Sequence, residues 1–414
     1  MKQFSIPFTY RSSFISAIKE SRRQKDKMKK DFSPTILNWG PVQFLMARHF
    51  GFCYGVENAI EIAFRTVDNN PGKNIYLLSE MIHNPSVNKD LLERGVKFLQ
   101  DTKGNSIIPI DTLTAEDIVI IPAFGTTIEM ENKLKSIGIT IEQYNTTCPF
   151  VEKVWNRSEQ IAKKNYTVIV HGKPTHEETR ATFSHAAEHT PTLVINDMEE
   201  AVVLADFIKG NKPVNEFYIT FKGRFSEGFD AERDLKSIGV VNQTTMLASD
   251  TQAIADFLKQ TMMDKFQSSE KEITTHFADT RDTLCYATND NQSAVHGMLE
   301  HDADLAIVIG GFNSSNTSHL VELCELKLPT YYIDHADKII SKDEIIHFDF
   351  HHKTEKRTTY YLPQKEQVKI MVTSGASCPD SIVESVMEKI SSYFISKENY
   401  EDGIKAVLES GTQA

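Results

Sequence analysis

Three cysteines each stand directly before a helix-like stretch, and they are the residues best placed to do chemistry. Cys53, Cys148 and Cys285 precede segments whose apolar residues recur at helical spacing. A thiolate at a helix N-terminus is stabilised by the helix dipole, which lowers its pKa and favours iron or zinc binding. Three converging thiolates form a soft ligand set that leaves one metal position open to a substrate. The chain has no C-x-x-C pair, so it lacks a local zinc or ferredoxin motif.

The cysteines also allow other interpretations. One is that all three are buried, unreactive core residues, since free cysteine is often buried as a small hydrophobic residue. Cys324 lies in an apolar helical stretch, which predicts a core residue. Cys378 precedes Pro379, again at a helix start. As a fourth ligand, Cys378 would close the metal site and favour an electron carrier.

A polar loop follows each cysteine-led helix and the short apolar strand after it. The separations are 30, 28 and 29 residues for the pairs Cys53–His83, Cys148–His176 and Cys285–Ser314. A second strand and loop follow in each third of the chain, at residues 124–127, 242–245 and 373–377. This internal repeat predicts three similar small α/β domains. Ligand loops at the strand ends then point inward around a pseudo-threefold axis, which brings the three cysteines together.

The predicted organisation has five parts. Residues 1–45 form an N-terminal extension, and 46–147, 148–283 and 284–394 form the three α/β domains, with boundaries near 145–147 and 279–282. Residues 395–414 form a C-terminal tail. The basic first 30 residues are consistent with a surface helix over 14–30, or with a transit peptide.

The polar loops predict an anion pocket. Asn313-Ser314-Ser315-Asn316 opens a helix, where backbone N–H groups, hydroxyls and amides bind phosphate. A helix cap is the alternative interpretation of this loop. His83 and His176 occupy equivalent loops and can donate to phosphate. Thr244, Thr245 and Ser377 from the second loops complete the pocket. Glu178 is a candidate general acid, with an exposed helix-start carboxylate as its alternative.

Composition limits the class of protein. The 414 residues carry a net charge of −12, which argues against a protein built to bind nucleic acid. We find no apolar run of about 18 residues, so no membrane span is expected. Five widely spaced cysteines argue against a disulfide framework and for a reducing, cytoplasmic compartment.

Seven motifs in this order resemble the 4-hydroxy-3-methylbut-2-enyl diphosphate reductase family of the non-mevalonate isoprenoid pathway, from about Met46 to about Ile390. They are Gly51-Phe52-Cys53-Tyr54-Gly55-Val56, Ile82-His83-Asn84, Thr147-Cys148-Pro149, Gln243-Thr244-Thr245, Cys285-Tyr286-Ala287-Thr288, Asn313-Ser314-Ser315-Asn316 and Gly375-Ala376-Ser377.

The resemblance implies a three-domain trefoil around one 4Fe–4S cluster with Cys53, Cys148 and Cys285 as its three protein ligands. It implies a proton relay through Glu178 and Thr244, and two-electron reduction to isopentenyl and dimethylallyl diphosphate. A donor such as ferredoxin or flavodoxin is also implied, and Cys378 is not a ligand in the family pattern. The diphosphate-binding residues that it implies are His83, His176, Ser314, Ser315, Asn316 and Ser377.

The chain departs from the family pattern in three places. Phe124 stands where family members usually carry a histidine, which removes one diphosphate donor. Thr126, Thr127 or Lys173 are candidates to compensate. The segment before His176 has an unusual spacing, and residues 1–45 lie outside the family core.

Three competing functions stay open from sequence alone. One is a lyase or hydratase that uses the open iron as a Lewis acid. Another is an iron–sulfur redox sensor, which would normally carry a basic DNA-binding element that this chain lacks. The third is the closed-cluster electron carrier with Cys378 as fourth ligand.

Overall fold

The computed structural model describes residues 4–278 and 283–410, with the side chains of the last helix described as far as residue 405. The chain divides into two compact units. Unit 1 falls within Met1–Glu57, His83–Val87 and Tyr286–Ala414, and unit 2 within Asn58–Ile82 and Asn88–Cys285. The boundary predicted near 279–282 and the last four residues of the predicted tail lie outside the described residues. The other predicted boundaries stay predictions.

The described chain alternates between short strands and helices. The strands are β1 (Thr35–Asn38), β2 (Val42–Met46), β3 (Ile75–Leu77), β4 (Lys97–Phe98), β5 (Ile118–Ile120), β6 (Thr167–His171), β7 (Thr192–Ile195), β8 (Ile238–Asn242), β9 (Leu305–Ile309), β10 (Thr330–Ile333), β11 (Ile339–Ser341), β12 (Glu344–Asp349), β13 (Thr354–Thr359) and β14 (Val368–Ser374). The helices are α1 (Ser13–Lys25), α2 (Tyr54–Asn69), α3 (Pro85–Glu93), α4 (Ile128–Ile137), α5 (Pro149–Ala162), α6 (Glu177–Ala187), α7 (Met198–Lys209), α8 (Val214–Thr220), α9 (Ala231–Asp234), α10 (Ala248–Phe266), α11 (Tyr286–Leu299), α12 (Ser315–Glu325), α13 (Asp380–Ser391) and α14 (Lys397–Ser410).

Three parallel sheets repeat one strand order. In unit 2 the orders are β4-β3-β5 and β7-β6-β8, and in unit 1 the same pattern appears as β10-β9-β14. In each sheet the first strand along the chain is central, and the second and third strands flank it. The loops after the first and third strands therefore lie at the switch point where α/β sheets bind ligands. The predicted α/β class with three similar small sheets is confirmed.

A fourth segment lies beside the third strand of each sheet and leads into a cysteine. Asn145 pairs with Ile121 and Phe277 pairs with Ile238, both in parallel. In unit 1 the equivalent segment is β2, which pairs in parallel with β14. The start of the chain thus completes the last sheet, which β1 extends by antiparallel pairing with β2.

The sheets have the burial expected of covered parallel strands. Every residue of β6, β8 and β9 is buried, as expected when helices cover both faces. On α5, Val151, Val154 and Ile161 are buried and form one apolar stripe. Burying one such side chain contributes about 1.5–3 kcal/mol relative to leaving it exposed. Packing of these stripes against the strands fixes the helix ends that carry the polar loops.

The N-terminal segment is part of the unit 1 core. The predicted helix forms as α1, but its interpretation as a surface helix is wrong, because Phe14, Ile15 and Ile18 are buried with the strands of the unit 1 sheet. At the other end of the chain, Tyr400 of α14 stacks on Trp39 with ring centroids 5.2 Å apart. Both ends of the chain therefore stabilise the last sheet.

Unit 1 also carries a small antiparallel sheet with the order β11-β12-β13. Over the described residues, none of the helices combines the length and apolar character needed to cross a membrane.

Candidate active site

Each of the three cysteines is fixed by an equivalent backbone hydrogen bond. The cysteine N–H donates to a carbonyl oxygen in the loop that follows the third strand of a sheet. The bonds are Cys53 to Ala376 at 3.2 Å, Cys148 to Ala123 at 2.9 Å and Cys285 to Thr244 at 3.3 Å. Helices α2, α5 and α11 begin directly after these cysteines. The prediction that each cysteine precedes a helix is confirmed.

The thiols of Cys148 and Cys285 lie within electrostatic reach of each other in unit 2. The pKa of Cys148 is raised to about 11, mainly by burial and to a smaller extent by the charges of Cys285 and Glu178. The backbone N–H groups of Phe150 and Val151 lower this pKa, as expected at a helix start. The predicted lowering by the helix N-terminus is present at Cys148, but in the metal-free thiol desolvation outweighs it.

These thiols fit the donor chemistry of an iron–sulfur cluster. Cys148 and Cys285 supply two soft sulfur donors within electrostatic reach of each other, and a bound cation would offset the repulsion that raises the pKa of Cys148. Within residues 4–278 and 283–405, no group of three or more His, Cys, Asp or Glu side chains meets the geometric requirement for a metal site. The third predicted ligand, Cys53, belongs to unit 1.

A chain of hydrogen bonds in unit 2 joins a cysteine loop to Glu178. The Cys285 N–H donates to the Thr244 carbonyl. The Thr244 N–H donates to Oε1 of Glu178 at 2.5 Å, and the Thr244 hydroxyl donates to Oε2 at 3.0 Å. Glu178 is only 1% exposed, so the alternative of an exposed helix-start carboxylate is wrong. Thr244 thus holds both carboxyl oxygens in fixed positions, and the carboxyl group lies within electrostatic reach of the Cys148 thiol.

His176 caps helix α6 and has a defined tautomer. Its Nδ1 accepts the Glu178 N–H at 3.2 Å. Because an accepting Nδ1 carries no proton, a neutral ring must carry its proton on Nε2. Nε2 is then a hydrogen-bond donor of the kind that a phosphate oxygen accepts. The predicted binding of phosphate by His176 stays a prediction.

Phe124 packs against His176. The two rings meet edge to face with centroids 5.7 Å apart. Of the residues predicted to compensate for Phe124, Thr127 is already engaged, because its hydroxyl accepts the Met130 N–H and also hydrogen-bonds to the Glu129 carboxyl group. Compensation by Thr126 or Lys173 stays a prediction.

In unit 1 a matching chain of bonds joins Cys53 to Asn316. The Cys53 N–H donates to the Ala376 carbonyl, and the Ala376 N–H donates to Oδ1 of Asn316 at 3.0 Å. The neighbouring Ser377 hydroxyl donates to the His83 carbonyl at 3.1 Å. Unit 1 therefore brings the predicted residues Cys53, His83, Asn316 and Ser377 into one network.

The start of helix α12 offers buried hydrogen-bond donors. Ser314 is the N-cap and accepts the Thr317 N–H. Ser314, Ser315 and Asn316 are each 4% exposed. The Asn316 side-chain nitrogen Nδ2 is buried and makes no hydrogen bond within the described chain. An unpartnered buried donor at a helix N-terminus is a fitting partner for an anion.

Sequence reasoning missed several residues that hold these loops. Gln243 is fully buried and joins three elements: its Oε1 accepts the Lys173 N–H and the Thr179 hydroxyl, and its Nε2 donates to Thr245. Ala376 acts through its backbone alone. The polar side chain of Gln243, in the quoted Gln243-Thr244-Thr245 motif, was a sequence signal for this role. Ala376 has no polar side chain that could indicate one.

The two remaining cysteines are core residues. Burial raises the pKa of Cys324 to about 12 and raises the pKa of Cys378 strongly. Cys378 has no exposed surface and packs in the apolar core of unit 1. The alternative of Cys378 as a fourth ligand therefore loses its support, because a ligand sulfur must reach the metal.

The chain was compared with known proteins. Residues 44–391 match the profile of a family described as LytB protein. A Picosynechococcus protein named 4-hydroxy-3-methylbut-2-enyl diphosphate reductase is 41% identical over 92% of this chain and 89% of its own length. A Nostoc punctiforme protein of the same name is 40% identical over 86% of both chains.

Solved structures show the same fold. A structure of the E-1-hydroxy-2-methyl-but-2-enyl-4-diphosphate reductase from Plasmodium falciparum has a TM-score of 0.60 and 23% identity. The alignment covers 87% of this chain and 90% of that one. By its matched profile and by relatives of this identity and coverage, the chain belongs to the LytB protein family.

Proposed function

We infer that this chain is an enzyme that reduces 4-hydroxy-3-methylbut-2-enyl diphosphate to isopentenyl and dimethylallyl diphosphate, the last step of the non-mevalonate isoprenoid pathway. The curated relatives carry the name of this reductase. The observation that supports it most directly is the buried Glu178, held by Thr244 and within electrostatic reach of the Cys148 thiol. A proton donor beside soft metal ligands suits the removal of a hydroxyl group.

The proposed cofactor is one 4Fe–4S cluster with Cys53, Cys148 and Cys285 as its protein ligands. All three cysteines lie directly before a helix, and the backbone N–H of each donates an equivalent hydrogen bond to a loop carbonyl. When bound, the cluster supplies electrons and an iron that polarises the substrate hydroxyl.

Glu178 and Thr244 handle the proton in this proposal. The reaction adds two electrons and two protons, breaks the allylic C–O bond and releases one water. Glu178 gives the proton that lets the hydroxyl leave as water. Thr244 holds both carboxyl oxygens and keeps the acidic proton aimed at one place, which is the usual requirement for a general acid.

The diphosphate is bound by hydrogen-bond donors from both units. In unit 1 these are His83, Ser314, Ser315, Asn316 and Ser377, supported by the N-terminus of α12 and by the buried Nδ2 of Asn316. In unit 2, His176 offers its Nε2–H to the diphosphate. The Thr244 hydroxyl donates to Glu178, so it contacts the substrate only as a hydrogen-bond acceptor.

The proposed electron donor is a small redox protein such as ferredoxin or flavodoxin, because the chain contains no second redox motif in its sequence. A cytoplasmic location is proposed because the five cysteines are free thiols, which suits a reducing compartment.

Anaerobic purification with iron and sulfide counts, followed by assay with the diphosphate substrate and reduced viologen, tests the function. We expect about four irons per chain and consumption of both substrate and reductant. Cys285→Ala should lose the iron, and the matched core variant Cys378→Ala should keep iron and activity. Iron loss in Cys378→Ala would favour the electron carrier instead. Turnover without reductant would favour the lyase or hydratase.

A further inference from the structure

The turn that carries Cys53 is surrounded by side chains from the beginning of the chain. Three contacts join the two segments: the Phe4 and Tyr54 rings meet edge to face at 5.0 Å, the Tyr10 and Phe52 rings do so at 5.9 Å, and the Lys19 ammonium lies 4.4 Å from the Phe50 ring centroid. Aromatic and cation–π contacts of this geometry are attractive beyond the area they bury. The two residues flanking Cys53 are thus each held by an N-terminal ring.

Gly51 brings the turn close to an ion pair. The Lys19 Nζ lies 2.6 Å from Oδ1 of Asp380, the first residue of α13. A Cβ on Gly51 would lie 2.4 Å from that oxygen and 2.8 Å from Nζ, and the Gly51 φ is +78°. The position therefore needs glycine both for its backbone conformation and for space. Lys19 connects the Cys53 turn to the helix that follows Ser377.

The N-terminal segment is itself firmly fixed. Ser12 caps α1 by accepting the Ile15 N–H at 2.9 Å. Phe14, Ile15 and Ile18 are buried in the unit 1 core. Arg11 donates to the Phe4 carbonyl at 2.6 Å. A segment anchored in this way can restrain the turn it contacts.

These contacts come from residues outside the part of the chain that matches the family, which begins at residue 44. We propose that residues Phe4–Lys19, here called the N-terminal clamp, position the Cys53 turn and limit access of solvent reagents to its thiol. The clamp holds one cluster ligand in place through the aromatic residues on either side of it. This inference rests on the proposed role of Cys53 as a ligand.

The test uses the full chain purified anaerobically with its iron. The clamp variants are Tyr10→Ala and Lys19→Met. The matched controls are Phe8→Ala, whose ring is 83% exposed, and Lys25→Met, at the exposed end of the same helix. One measurement is the rate of iron release to excess bathophenanthroline disulfonate. The other, made after iron removal, is the alkylation rate of each cysteine with iodoacetamide across pH, resolved by peptide mass spectrometry.

We expect iron release and the plateau alkylation rate of Cys53 to rise about fivefold or more in both clamp variants, because loss of these contacts lets the turn open locally. Cys148 and Cys285 should react at the wild-type rate, and Lys19→Arg should restore the slow rate at Cys53. Equal acceleration at all three cysteines, or a wild-type rate at Cys53, would overturn the clamp.

Lys19→Met keeps the test informative if Tyr10→Ala does not fold, since Lys19 is partly exposed and lies outside the apolar core. A wild-type chain that binds no iron would contradict the proposed function. The alkylation rates would still decide whether the clamp restrains Cys53.

Discussion

The same hydrogen-bond frame occurs once in each unit, with different side chains. In unit 2 it runs from Cys285 through the Thr244 backbone to Glu178, and in unit 1 from Cys53 through the Ala376 backbone to Asn316. Glu178 and Asn316 each lie two residues after the N-cap of a helix. A carboxyl and a hydroxyl occupy one copy, and an amide and a methyl group occupy the other.

The difference shows how one repeated scaffold can separate two chemical tasks. In unit 2 the frame holds a carboxyl group within electrostatic reach of the Cys148 thiol. In unit 1 the frame holds an amide at the N-terminus of α12, and its Nδ2 makes no hydrogen bond within the described residues. The first arrangement suits proton transfer and metal binding, and the second suits an anion.

The largest effect is expected from Glu178→Gln, which gives unit 2 the amide of unit 1. Glutamine keeps an oxygen for the Thr244 N–H but cannot give a proton. We expect kcat to fall by about 10²–10⁴-fold, as for loss of a general acid. KM and iron content should stay close to wild type. Steady-state kinetics with reduced viologen would contradict the proton role if kcat fell by less than about tenfold.

The reciprocal change, Asn316→Asp, places a carboxylate in unit 1. Aspartate keeps the oxygen that accepts the Ala376 N–H but replaces the Nδ2 donor with a negative oxygen. We expect KM to rise about 100-fold, because a donor is lost and a repulsion gained. The matched variant Asn291→Asp changes a neighbouring amide, whose Nδ2 donates to Asn316 Oδ1 at 3.4 Å, and it should raise KM less. An unchanged KM in Asn316→Asp would remove Asn316 from the diphosphate site.

A smaller effect is expected from Thr244→Ala, which gives unit 2 the methyl side chain that Ala376 has at the equivalent position in unit 1. The backbone N–H bond to Glu178 remains, and only the bond from the hydroxyl to Oε2 at 3.0 Å is lost. A hydrogen bond to an ionisable group contributes about 1.5–3 kcal/mol, so kcat should fall about tenfold or more. Thr244→Ser restores a hydroxyl and should recover most of the rate. Failure of serine to do so would assign the loss to packing rather than to the hydroxyl.

Much of this frame was predictable from sequence because it depends on local patterns. Cysteine before a helix, apolar strand and polar loop recur at nearly constant spacing, and these signals located Cys148, His176, Ser314 and their strands. The resemblance implied a relay through Glu178 and Thr244, but residue spacing alone does not pair them, since they come from two different loops. The role of Ala376 was not predicted, although it stands in the Gly375-Ala376-Ser377 motif, because it contributes only backbone groups.

The closure of the last sheet by β2 was also beyond sequence reasoning. A five-residue apolar run does not reveal its partner, and β2 pairs with a strand more than 300 residues later. The N-terminal segment was misinterpreted for the same reason. Its charged residues suggested a surface, while Phe14, Ile15 and Ile18 find their partners only in the folded unit.

The smallest effect is expected at His185, which contacts the loop that holds Cys148. In this loop the Ala123 carbonyl accepts the Cys148 N–H, as in the other two cysteine turns. The His185 Nε2 lies 3.1 Å from the Thr126 carbonyl, and its ring stacks on Trp155 at 3.6 Å. Burial lowers the pKa of His185 to about 4.

Because this pKa lies below the unfolded value of about 6.5, the unfolded chain binds the proton first as pH falls. The contribution of His185 to the free energy of unfolding is therefore complete above pH 6.5 and is lost between pH 6.5 and pH 4. We expect a loss of about 1 kcal/mol after allowance for partial exposure. His185→Gln keeps an N–H donor for Thr126 and does not titrate, so it should reduce the stability difference between pH 7.5 and pH 5. Urea unfolding of the iron-free chain measures this difference. The same difference in variant and wild type would show that His185 does not couple the Cys148 loop to pH.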